Sequence, residues 1–357
     1  MTGMFFFLLD RRMKHIILTG GLGYIGSNTA VKLLEMNYIV HIMDNLQNAN
    51  MSVFQDILDI LPHKKSNLFF HFVDLRDYET LFQEFEKIEF VDAVIHFAGL
   101  KAVKESVENP LLYYENNLIS TIHLLKVMKI FNSSTLIFSS SATVYGNAQL
   151  PLTETSQTGI GVKSPYGKSK FMMEEILKDE FNTNFPWKIG ILRYFKPVGA
   201  SGMIGENPKD ISNNLMSYVA KVCKGEYPFV TVFGNDHDTK DGTCVRDYIH
   251  ITDLVKGYLA TLDFLLKQSK TLEIFNLGTG KGLSVLEMIE HMKDVSGKDV
   301  KIKIEKRRDG DLPIIVTSPA KANRVLNWFS ENTHKDMCRD LWNLYENPVF
   351  SMRENMR

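Results

Sequence analysis

Cysteine is scarce in this sequence, with three residues in a chain of 357. Cys223, Cys244 and Cys338 are far apart, odd in number and without the short repeated spacing of a metal site. This pattern argues against a disulfide framework, which is typical of small secreted domains. We therefore expect a protein of a reducing compartment, the cytoplasm, that holds no metal.

An excess of charge of one sign is also missing. The 41 basic and 42 acidic residues leave a formal net charge of −1, so the composition gives no reason to expect nucleic acid as a partner. A small polar substrate suits this balance better. No internal repeat or low-complexity tract interrupts the chain.

Long apolar runs are absent as well, and none reaches the about 20 residues of a membrane-spanning helix. Phe5–Leu9 is a run of five apolar residues, whereas a secretory signal has roughly 7 to 15 after a basic segment. Here the basic Arg11 and Arg12 come afterwards. We expect residues 1–12 to be an N-terminal extension, the fold to begin near Lys14, and no membrane partner.

What the sequence does contain is a regular alternation of short β-rich runs and amphipathic stretches. Because the runs are nearly continuous in Ile, Val, Leu and Phe, we expect parallel strands that are buried on both faces, joined by helical crossovers. The predicted fold class is α/β, with a Rossmann-like doubly wound parallel sheet. The six runs are His15–Thr19, Tyr38–Met43, Leu68–Val73, Val91–Phe97, Thr135–Ser140 and Lys188–Arg193.

Two long helices are predicted to start at an Asn109-Pro110 and a Ser164-Pro165 pair, with the polar residue as N-cap and proline in the first turn. After Arg193 the alternation of strand-like and helix-like segments becomes irregular, so we expect a smaller, interleaved C-terminal substrate domain. The predicted NAD-binding domain comprises 13–195 and about 242–276, including a helix near 251–266 and a strand near 273–277. The nucleotide-sugar domain comprises about 196–241 and 277–350.

A glycine-rich turn follows the first strand and opens the first helix. Gly20, Gly23 and Gly26 allow a sharp turn and a close approach of the backbone to a pyrophosphate, while the helix N-terminus offers N–H groups and a positive dipole end. Asp44 closes the second strand about 20 residues further on, where a carboxylate binds the adenosine ribose and would repel a 2′-phosphate. The pair favours NAD over NADP. Asp74, after the third strand, is a weaker candidate for the adenine side, since an ordinary loop aspartate would look the same.

A phenol and an ammonium, Tyr166 and Lys170, are four residues apart near a helix start and therefore project from one face. Lowering the pKa of a phenol from about 10 to about 7 requires about 4 kcal/mol, and one nearby cation lowers a pKa by only about 1 to 3 units. We expect Lys170 and the positive nicotinamide ring to act jointly on Tyr166. Ser141 lies at the carboxyl end of the fifth strand, where it can hydrogen-bond the reacting oxygen.

Taken together, these elements resemble the extended short-chain dehydrogenase/reductase family, and within it the UDP-glucose (UDP-galactose) 4-epimerases. The resemblance covers about Lys14 to Asn347. It rests on the segments Thr19–Ser27, His96–Val103, Phe138–Gly146, Asn213–Met216, Val232–Asp236, Asp241–Thr243 with Val245–His250, and Arg307–Pro313.

The resemblance implies an isomerase that interconverts UDP-glucose and UDP-galactose through a 4-keto sugar. Tyr166 would take the proton of the sugar 4-hydroxyl, Ser141 would steady that oxygen, and the C4 hydride would pass to a tightly bound NAD. The keto sugar would then rotate and take the hydride back on its other face. The implied partners are a UDP-sugar and a second copy of the chain, through the helices near 109–131 and 164–182.

The same resemblance assigns the remaining binding residues. The cofactor side comprises Gly20, Gly23, Tyr24, Ile25, Gly26, Asp44, Asn45, Asp74, Leu75, Phe97, Ala98, Gly99, Lys101, Asn116, Tyr166, Lys170 and Phe195. The substrate side comprises Lys101, Ser141, Tyr166, Lys196, Asn214, Leu215, Thr231, Phe233, Arg246, Arg308, Asp311 and Ile315.

The sequence departs from the family pattern at two places. Lys196 replaces an asparagine, and the loop after Ala200 is two residues shorter. Either Lys196 pairs with the diphosphate or the substrate site is damaged. Ile315 stands where the family often has tyrosine or a small residue, so it either leaves room for the N-acetyl group of a UDP-N-acetylhexosamine or only packs.

Two other functions are weighed. A nucleotide-sugar 4,6-dehydratase shares the glycine turn and the Tyr-Lys pair but carries Asp-Glu where this chain has Ala142 and Thr143, which cannot perform acid-base catalysis. A catalytically weak sugar-nucleotide binding protein is compatible with Lys196 and the short loop. The intact Ser141, Tyr166 and Lys170 argue against it.

Overall fold

A computed structural model describes residues 12–206, 214–308 and 311–347. The strands are β1 His15–Thr19, β2 Ile39–Asp44, β3 Leu68–Phe72, β4 Ala93–His96, β5 Thr135–Ser139, β6 Lys188–Tyr194, β7 Lys196–Val198, β8 Ala200–Ser201, β9 Ile204–Gly205, β10 Val230–Phe233, β11 Val245–His250, β12 Thr271–Leu277, β13 Gly282–Ser284, β14 Ile302–Glu305 and β15 Ile314–Ile315. The helices are α1 Tyr24–Glu35, α2 Ser52–Ile60, α3 Tyr78–Glu86, α4 Val103–Glu108, α5 Pro110–Ile130, α6 Pro165–Phe181, α7 Leu215–Cys223, α8 Ile251–Leu266, α9 Val285–Ser296, α10 Ala320–Leu326 and α11 His334–Glu346.

A seven-stranded sheet with the order β12-β6-β5-β4-β1-β2-β3 forms the centre of the fold, and all of its neighbouring strands run parallel. The chain moves outward from β1 to β3 and then returns to β4 on the other side of β1. This reversal opens a crevice at the carboxyl ends of β1 and β4, the position where doubly wound sheets bind ligands. The predicted fold class is confirmed.

Each face of this sheet has its own apolar core. Ile16 and Leu18 of β1 point to the side of α1 and α8, whereas Ile17 points to the side of α3, α5 and α6. All three are fully buried. Burial on both faces explains why the strands read as continuous apolar runs rather than as an alternating pattern.

A second body is built around β11, which pairs with β7, β13 and β15. Helices α7, α9 and α11 pack beside it around a separate apolar core. The division into two domains stays a prediction. Because β11 pairs outside the central sheet, we propose that the NAD-binding domain resumes at about residue 251 rather than 242.

The two predicted helix starts differ in detail. The Ser164 hydroxyl accepts a hydrogen bond from the Gly167 N–H at 3.1 Å and so caps α6. Asn109 occupies the N-cap position of α5, but its side chain makes no capping hydrogen bond among the described residues. The predicted asparagine cap is therefore wrong in its chemistry, and the proline in the first turn carries that helix start.

The described residues test three further sequence predictions only in part: the N-terminal extension, the lack of a membrane span and the lack of a metal. Residues 1–11 of the predicted extension lie outside them. Within them, no helix is long and apolar enough to cross a bilayer, and no group of three or more His, Cys, Asp or Glu side chains is arranged to hold a metal ion. Cys223, Cys244 and Cys338 are free and buried.

Candidate active site

The glycine turn lies against the β4 loop at the crevice. Gly20 has a φ of +64°, and a Cβ there would come within 2.7 Å of the Ala98 nitrogen. A Cβ on Gly26 would come within 2.7 Å of the Gly20 oxygen. Both positions therefore require glycine, and the turn stays tight enough for its backbone to approach a pyrophosphate.

Helix α1 begins at this turn, with Gly23 as its N-cap. Among the described residues no side chain caps it, which leaves the positive end of the helix for an anion. The Tyr24 hydroxyl does not serve that purpose, because it donates to the Gly199 carbonyl oxygen at 2.6 Å. Ile25 packs against the apolar core.

Asp44 ends β2 beside the turn, as the sequence predicts. Its buried carboxylate accepts hydrogen bonds from the Leu22 N–H at 3.2 Å and the Leu46 N–H at 2.9 Å, which fix its orientation. Asn45 donates to Asp74 at 3.2 Å, so these two residues lie together at the same edge. The residues present therefore fit an NAD molecule whose ribose would hydrogen-bond to Asp44.

Asp74 is a less available ligand than Asp44. The Arg76 side chain donates to its carboxylate and, with Asn45, holds the pKa of Asp74 at about 2. Leu75 is buried, and its carbonyl oxygen lies 3.2 Å from the His123 ring. An arginine clamp of this kind fits a structural role for Asp74 at least as well as contact with adenine.

The β4 loop brings Gly99 to the catalytic helix. A Cβ on Gly99 would lie 3.1 Å from Asn117 and 3.9 Å from the Lys170 ammonium. Asn117 accepts from the Leu100 N–H at 2.8 Å and donates to Ser169 at 3.0 Å, so it joins the β4 loop, α5 and α6. Sequence reasoning named the neighbouring Asn116 and missed this role of Asn117, which no local sequence pattern indicates.

Two further cofactor-side predictions, Phe97 and Phe195, occupy different surroundings. The Phe97 ring lies 4.9 Å from that of Tyr258, centroid to centroid, next to the crevice. Phe195 is buried in a small apolar cluster with Val144 and Leu152, and Ile315 packs against that cluster. Phe195 therefore packs beside the turn that follows Ser141 rather than beside the glycine turn.

The three predicted catalytic side chains converge. Tyr166 and Lys170 lie on the same face of α6, and the Tyr166 phenol lies close enough to the Ser141 hydroxyl to interact with it. Thr143 also hydrogen-bonds to Ser141, through its N–H at 3.2 Å and its hydroxyl at 3.0 Å. Tyr166, Ser141 and Lys170 are all buried, so a reacting oxygen beside them would be shielded from water.

The protein alone does not prepare Tyr166 as a base. Burial raises the pKa of the Tyr166 phenol well above its usual value, and the hydrogen bond from Ser141 offsets only part of that rise. The Lys170 ammonium donates to the Ser139 carbonyl at 2.7 Å, and burial lowers the pKa of Lys170 to about 8. The expected joint action on Tyr166 therefore needs the charge of the bound cofactor as well as a protonated Lys170.

A buried ion pair, which sequence reasoning missed, holds this catalytic surface together. Glu174 lies one turn beyond Lys170 on α6 and binds Arg193 of β6, with both side chains at most 2% exposed. Glu174 also accepts from the Ser140 hydroxyl, next to Ser141. The network fixes α6 against β5 and β6 and so sets the distance between Tyr166 and Ser141.

The opposite wall of the crevice carries cations. Asp311 bridges the two predicted arginines, at 2.9 Å from Arg308 and 3.7 Å from Arg246. The Arg308 guanidinium stacks over the Phe233 ring at 4.9 Å. Thr231 lies two residues before Phe233 on the same face of β10.

Ile315 is brought to this wall by its strand pairing, because β15 places it directly beside Arg246 of β11. Its side chain packs against the cluster that includes Ala142 and Val144. The structure therefore places Ile315 between the cationic wall and the catalytic serine loop.

Lys196 faces the same wall from β7. It is exposed to the crevice, yet the surrounding protein and the neighbouring Arg246 and Arg308 lower the pKa of its ammonium to about 8. Asn214 caps α7, where Leu215 is the first helical residue, and donates to the Pro197 carbonyl next to Lys196 at 3.3 Å. These contacts bring the predicted substrate-side residues to one side of the crevice.

Glu206 is a second residue that sequence reasoning missed. Its buried carboxylate pairs with Lys101 at 3.0 Å and accepts a hydrogen bond from Asn214 at 2.5 Å. Lys101, predicted on both the cofactor and the substrate side, therefore lies between them.

Comparison with known proteins gives matches over most of the chain. The family model for GDP-mannose 4,6 dehydratase matches residues 17–341. "UDP-glucose 4-epimerase 2" of Arabidopsis thaliana is 48% identical over 337 residues, which are 94% of this chain and 95% of that protein. The human "UDP-glucose 4-epimerase" is 47% identical over 335 residues, 92% of this chain and 95% of that protein.

A solved structure agrees in fold. The crystal structure of the UDP-glucose 4-epimerase from Bifidobacterium longum, in complex with NAD+ and UDP, superposes with a TM-score of 0.89 at 43% identity. The match covers 94% of this chain and 99% of that one. Those two ligands are of the classes that the glycine turn and the cationic wall can bind.

Proposed function

The chain belongs to the extended short-chain dehydrogenase/reductase family and, within it, to the UDP-glucose 4-epimerases, and we propose that it interconverts UDP-glucose and UDP-galactose. One observation carries the proposal. A buried Tyr166-Ser141 pair, with Lys170 on the same helix face, faces a crevice that has a dinucleotide turn at one side and an arginine wall at the other.

The proposed chemical role of each residue follows from its position. Tyr166 would remove the proton of the sugar 4-hydroxyl and later return it, while Ser141 would hydrogen-bond that oxygen. The glycine turn would hold NAD, which would supply hydride transfer at sugar C4. Lys170, held on the Ser139 carbonyl, supplies positive charge on the same helix face. Arg246, Arg308 and Lys196 would anchor the diphosphate and leave the hexose free to turn.

The dehydratase alternative lacks a chemical basis in this site. Ala142 and Thr143 form the short turn after Ser141, and the Thr143 hydroxyl donates to the Ser141 oxygen. Neither side chain can carry the acid or the base that elimination of water requires. A mere binding protein would not need the buried Tyr166-Ser141 pair.

Incubation of the purified protein with UDP-galactose, without added cofactor, tests the proposal. We expect UDP-glucose to appear until the two sugars reach equilibrium, because NAD would remain bound during purification. A reaction without protein serves as the control. Binding of UDP-galactose without any conversion would identify a binding protein instead and overturn the proposal.

We propose that Lys196 contacts the diphosphate as a third cation, and this contact makes UDP affinity depend on pH. With a pKa of about 8 in the free protein, Lys196 is charged at pH 7 and mostly neutral at pH 9. The charged form binds phosphate, so the Kd for UDP should rise about tenfold between pH 7 and pH 9. Calorimetric titration at the two pH values measures this change.

Lys196→Met should bind UDP more weakly at pH 7 and lose most of the pH dependence. Lys267→Met removes a lysine that pairs with Asp263 on the surface, so it should behave like the wild type. An unchanged pH profile in Lys196→Met would contradict the diphosphate contact.

The position of Ile315 also bears on the substrate range. Isoleucine is shorter than tyrosine, and Ile315 packs beside the serine loop rather than across it. We propose that the site accepts UDP-N-acetylglucosamine, with turnover about 10- to 200-fold below that for UDP-glucose at most, since one pocket group is worth about 1–3 kcal/mol. Turnover of UDP-glucose together with no turnover of the N-acetylated sugar would refute this proposal.

We propose that two copies of the chain associate through α5 and α6. These helices pack on each other and expose large apolar side chains, among them Leu111 at 78% and Ile130 at 54%. Exposed apolar residues on adjacent helices favour burial against a symmetry mate. Sedimentation should give twice the chain mass, and a monomer at micromolar concentration would exclude the dimer.

The three free, buried thiols fit a reducing environment, and we propose the cytoplasm as the site of action. Imaging of a tagged protein in its own cells tests this proposal. A signal confined to an oxidising compartment would contradict it.

A further inference from the structure

Glu206 is a buried carboxylate whose two oxygens are engaged by residues from opposite sides of the crevice. Oε1 lies 3.0 Å from the Lys101 ammonium. Oε2 accepts from the Asn214 amide at 2.5 Å and from the Ser217 hydroxyl at 3.1 Å. The Glu206 side chain is only 10% exposed, so its carboxylate is largely shielded from water on the protein side and held in one orientation by these contacts.

Lys101 belongs to the cofactor side by its position in the fold. It follows the β4 loop, whose Ala98 lies against Gly20 of the glycine turn. Its side chain is 67% exposed, which leaves the ammonium open to a ligand in the crevice. The Glu206 carboxylate raises the pKa of Lys101, so the lysine stays charged, and it holds the long side chain in one direction.

Asn214 belongs to the substrate side. It caps α7 and donates to the Pro197 carbonyl on β7, the strand that pairs with β11. Strand β11 carries Arg246 of the cationic wall. A movement of Asn214 on nucleotide binding would therefore shift the Glu206 carboxylate and, through its ion pair, the Lys101 ammonium.

A second contact joins the same two parts of the protein. The Tyr24 hydroxyl, in the first turn of α1, donates to the Gly199 carbonyl at 2.6 Å. Gly199 begins the short loop that leads through β8 and β9 to Glu206. The loop is thus connected to α1 at its Gly199 end and to Lys101, which follows the β4 loop, at its Glu206 end.

We propose that Glu206 is a positioning residue that couples NAD retention to nucleotide binding. This proposal rests on the proposed function. With one carboxylate, Glu206 orients Lys101 for the cofactor and Asn214 for the nucleotide. Each ligand would therefore stabilise the side-chain positions that the other ligand needs. Coupling is reciprocal: if UDP tightens NAD binding by a factor, NAD tightens UDP binding by the same factor.

The experiment compares the rate of NAD release from the purified holoenzyme with and without saturating UDP. In the wild type we expect UDP to slow release by at least about fivefold, the lower range of typical coupling. In Glu206→Gln the slowing should fall below about twofold, because an amide has one acceptor oxygen for three donors. UDP itself should still bind to this variant through the arginine wall.

Four further variants separate coupling from a loss of structure. Lys101→Met should lose the UDP effect as Glu206→Gln does, the double variant should lose no more than either, and Lys101→Arg should restore part of it. Glu273→Gln disrupts a comparable lysine pair, with Lys321, outside the crevice and should keep the wild-type response.

A full UDP effect in a folded Glu206→Gln would overturn the coupling role, as would a wild type whose NAD release ignores UDP. Turnover of UDP-galactose by the wild type is measured in parallel. Failure of that turnover would instead count against the proposed function, so the two results are distinguishable.

Discussion

Replacement of Tyr166 by phenylalanine should reduce turnover by about 10²- to 10⁴-fold, the usual contribution of a positioned acid-base group. Removal of the hydroxyl leaves the sugar 4-hydroxyl without a proton acceptor, while Ser141 retains its hydrogen bonds with Thr143. The fold should tolerate the change, because the ring remains to fill its buried position. Steady-state kinetics with UDP-galactose measures the effect.

The binding of UDP separates loss of chemistry from loss of the site. Tyr166→Phe should bind UDP as the wild type does, since the arginine wall is untouched. Tyr218→Phe removes a hydroxyl from a ring that stacks on Tyr227 outside the crevice, and its turnover should match the wild type. Full turnover in Tyr166→Phe would show that another group is the base.

Replacement of Arg193 by methionine should destabilise the protein by about 3–5 kcal/mol, because Glu174 would be left charged and buried without a partner. The same change frees α6 from β6, so turnover should fall even in the folded fraction. Denaturant unfolding followed by circular dichroism measures the stability.

The double variant Glu174→Met with Arg193→Met removes both charges and should recover much of the lost stability. Lys267→Met disrupts an exposed pair and should cost at most about 1 kcal/mol. A loss for Arg193→Met as small as that of the exposed pair would contradict a structural role for the buried network.

Much of the fold could be predicted from the sequence because its signals are local. The run His15–Thr19 is β1 as predicted, and the predicted helix near 251–266 has the bounds of α8. Continuous apolar runs, glycine spacing and helix phase depend on neighbouring residues. The same local signals identified the glycine turn, the Asp44 carboxylate beside it and the Tyr166-Lys170 face.

The rest could not be predicted because it depends on residues that are far apart in the chain. Glu206 meets Lys101 across 105 positions, and only the folded chain shows that one carboxylate serves both sides of the crevice. The proposed domain boundary at about residue 251 depends on which sheet β11 joins, and only the folded chain shows that pairing. The extent to which burial raises the pKa of the Tyr166 phenol also depends on the folded surroundings, which the predicted joint action of Lys170 and the nicotinamide ring has to overcome.

The central claim is that the hydrogen removed from sugar C4 returns to the same sugar without leaving the protein. UDP-galactose labelled with deuterium at C4 tests it directly, in a reaction with purified protein, unlabelled NADH in solution and no added NAD. We predict that UDP-glucose retains the deuterium at C4. Appearance of the label in water or in the dissolved NADH, with unlabelled product, would contradict a resident cofactor.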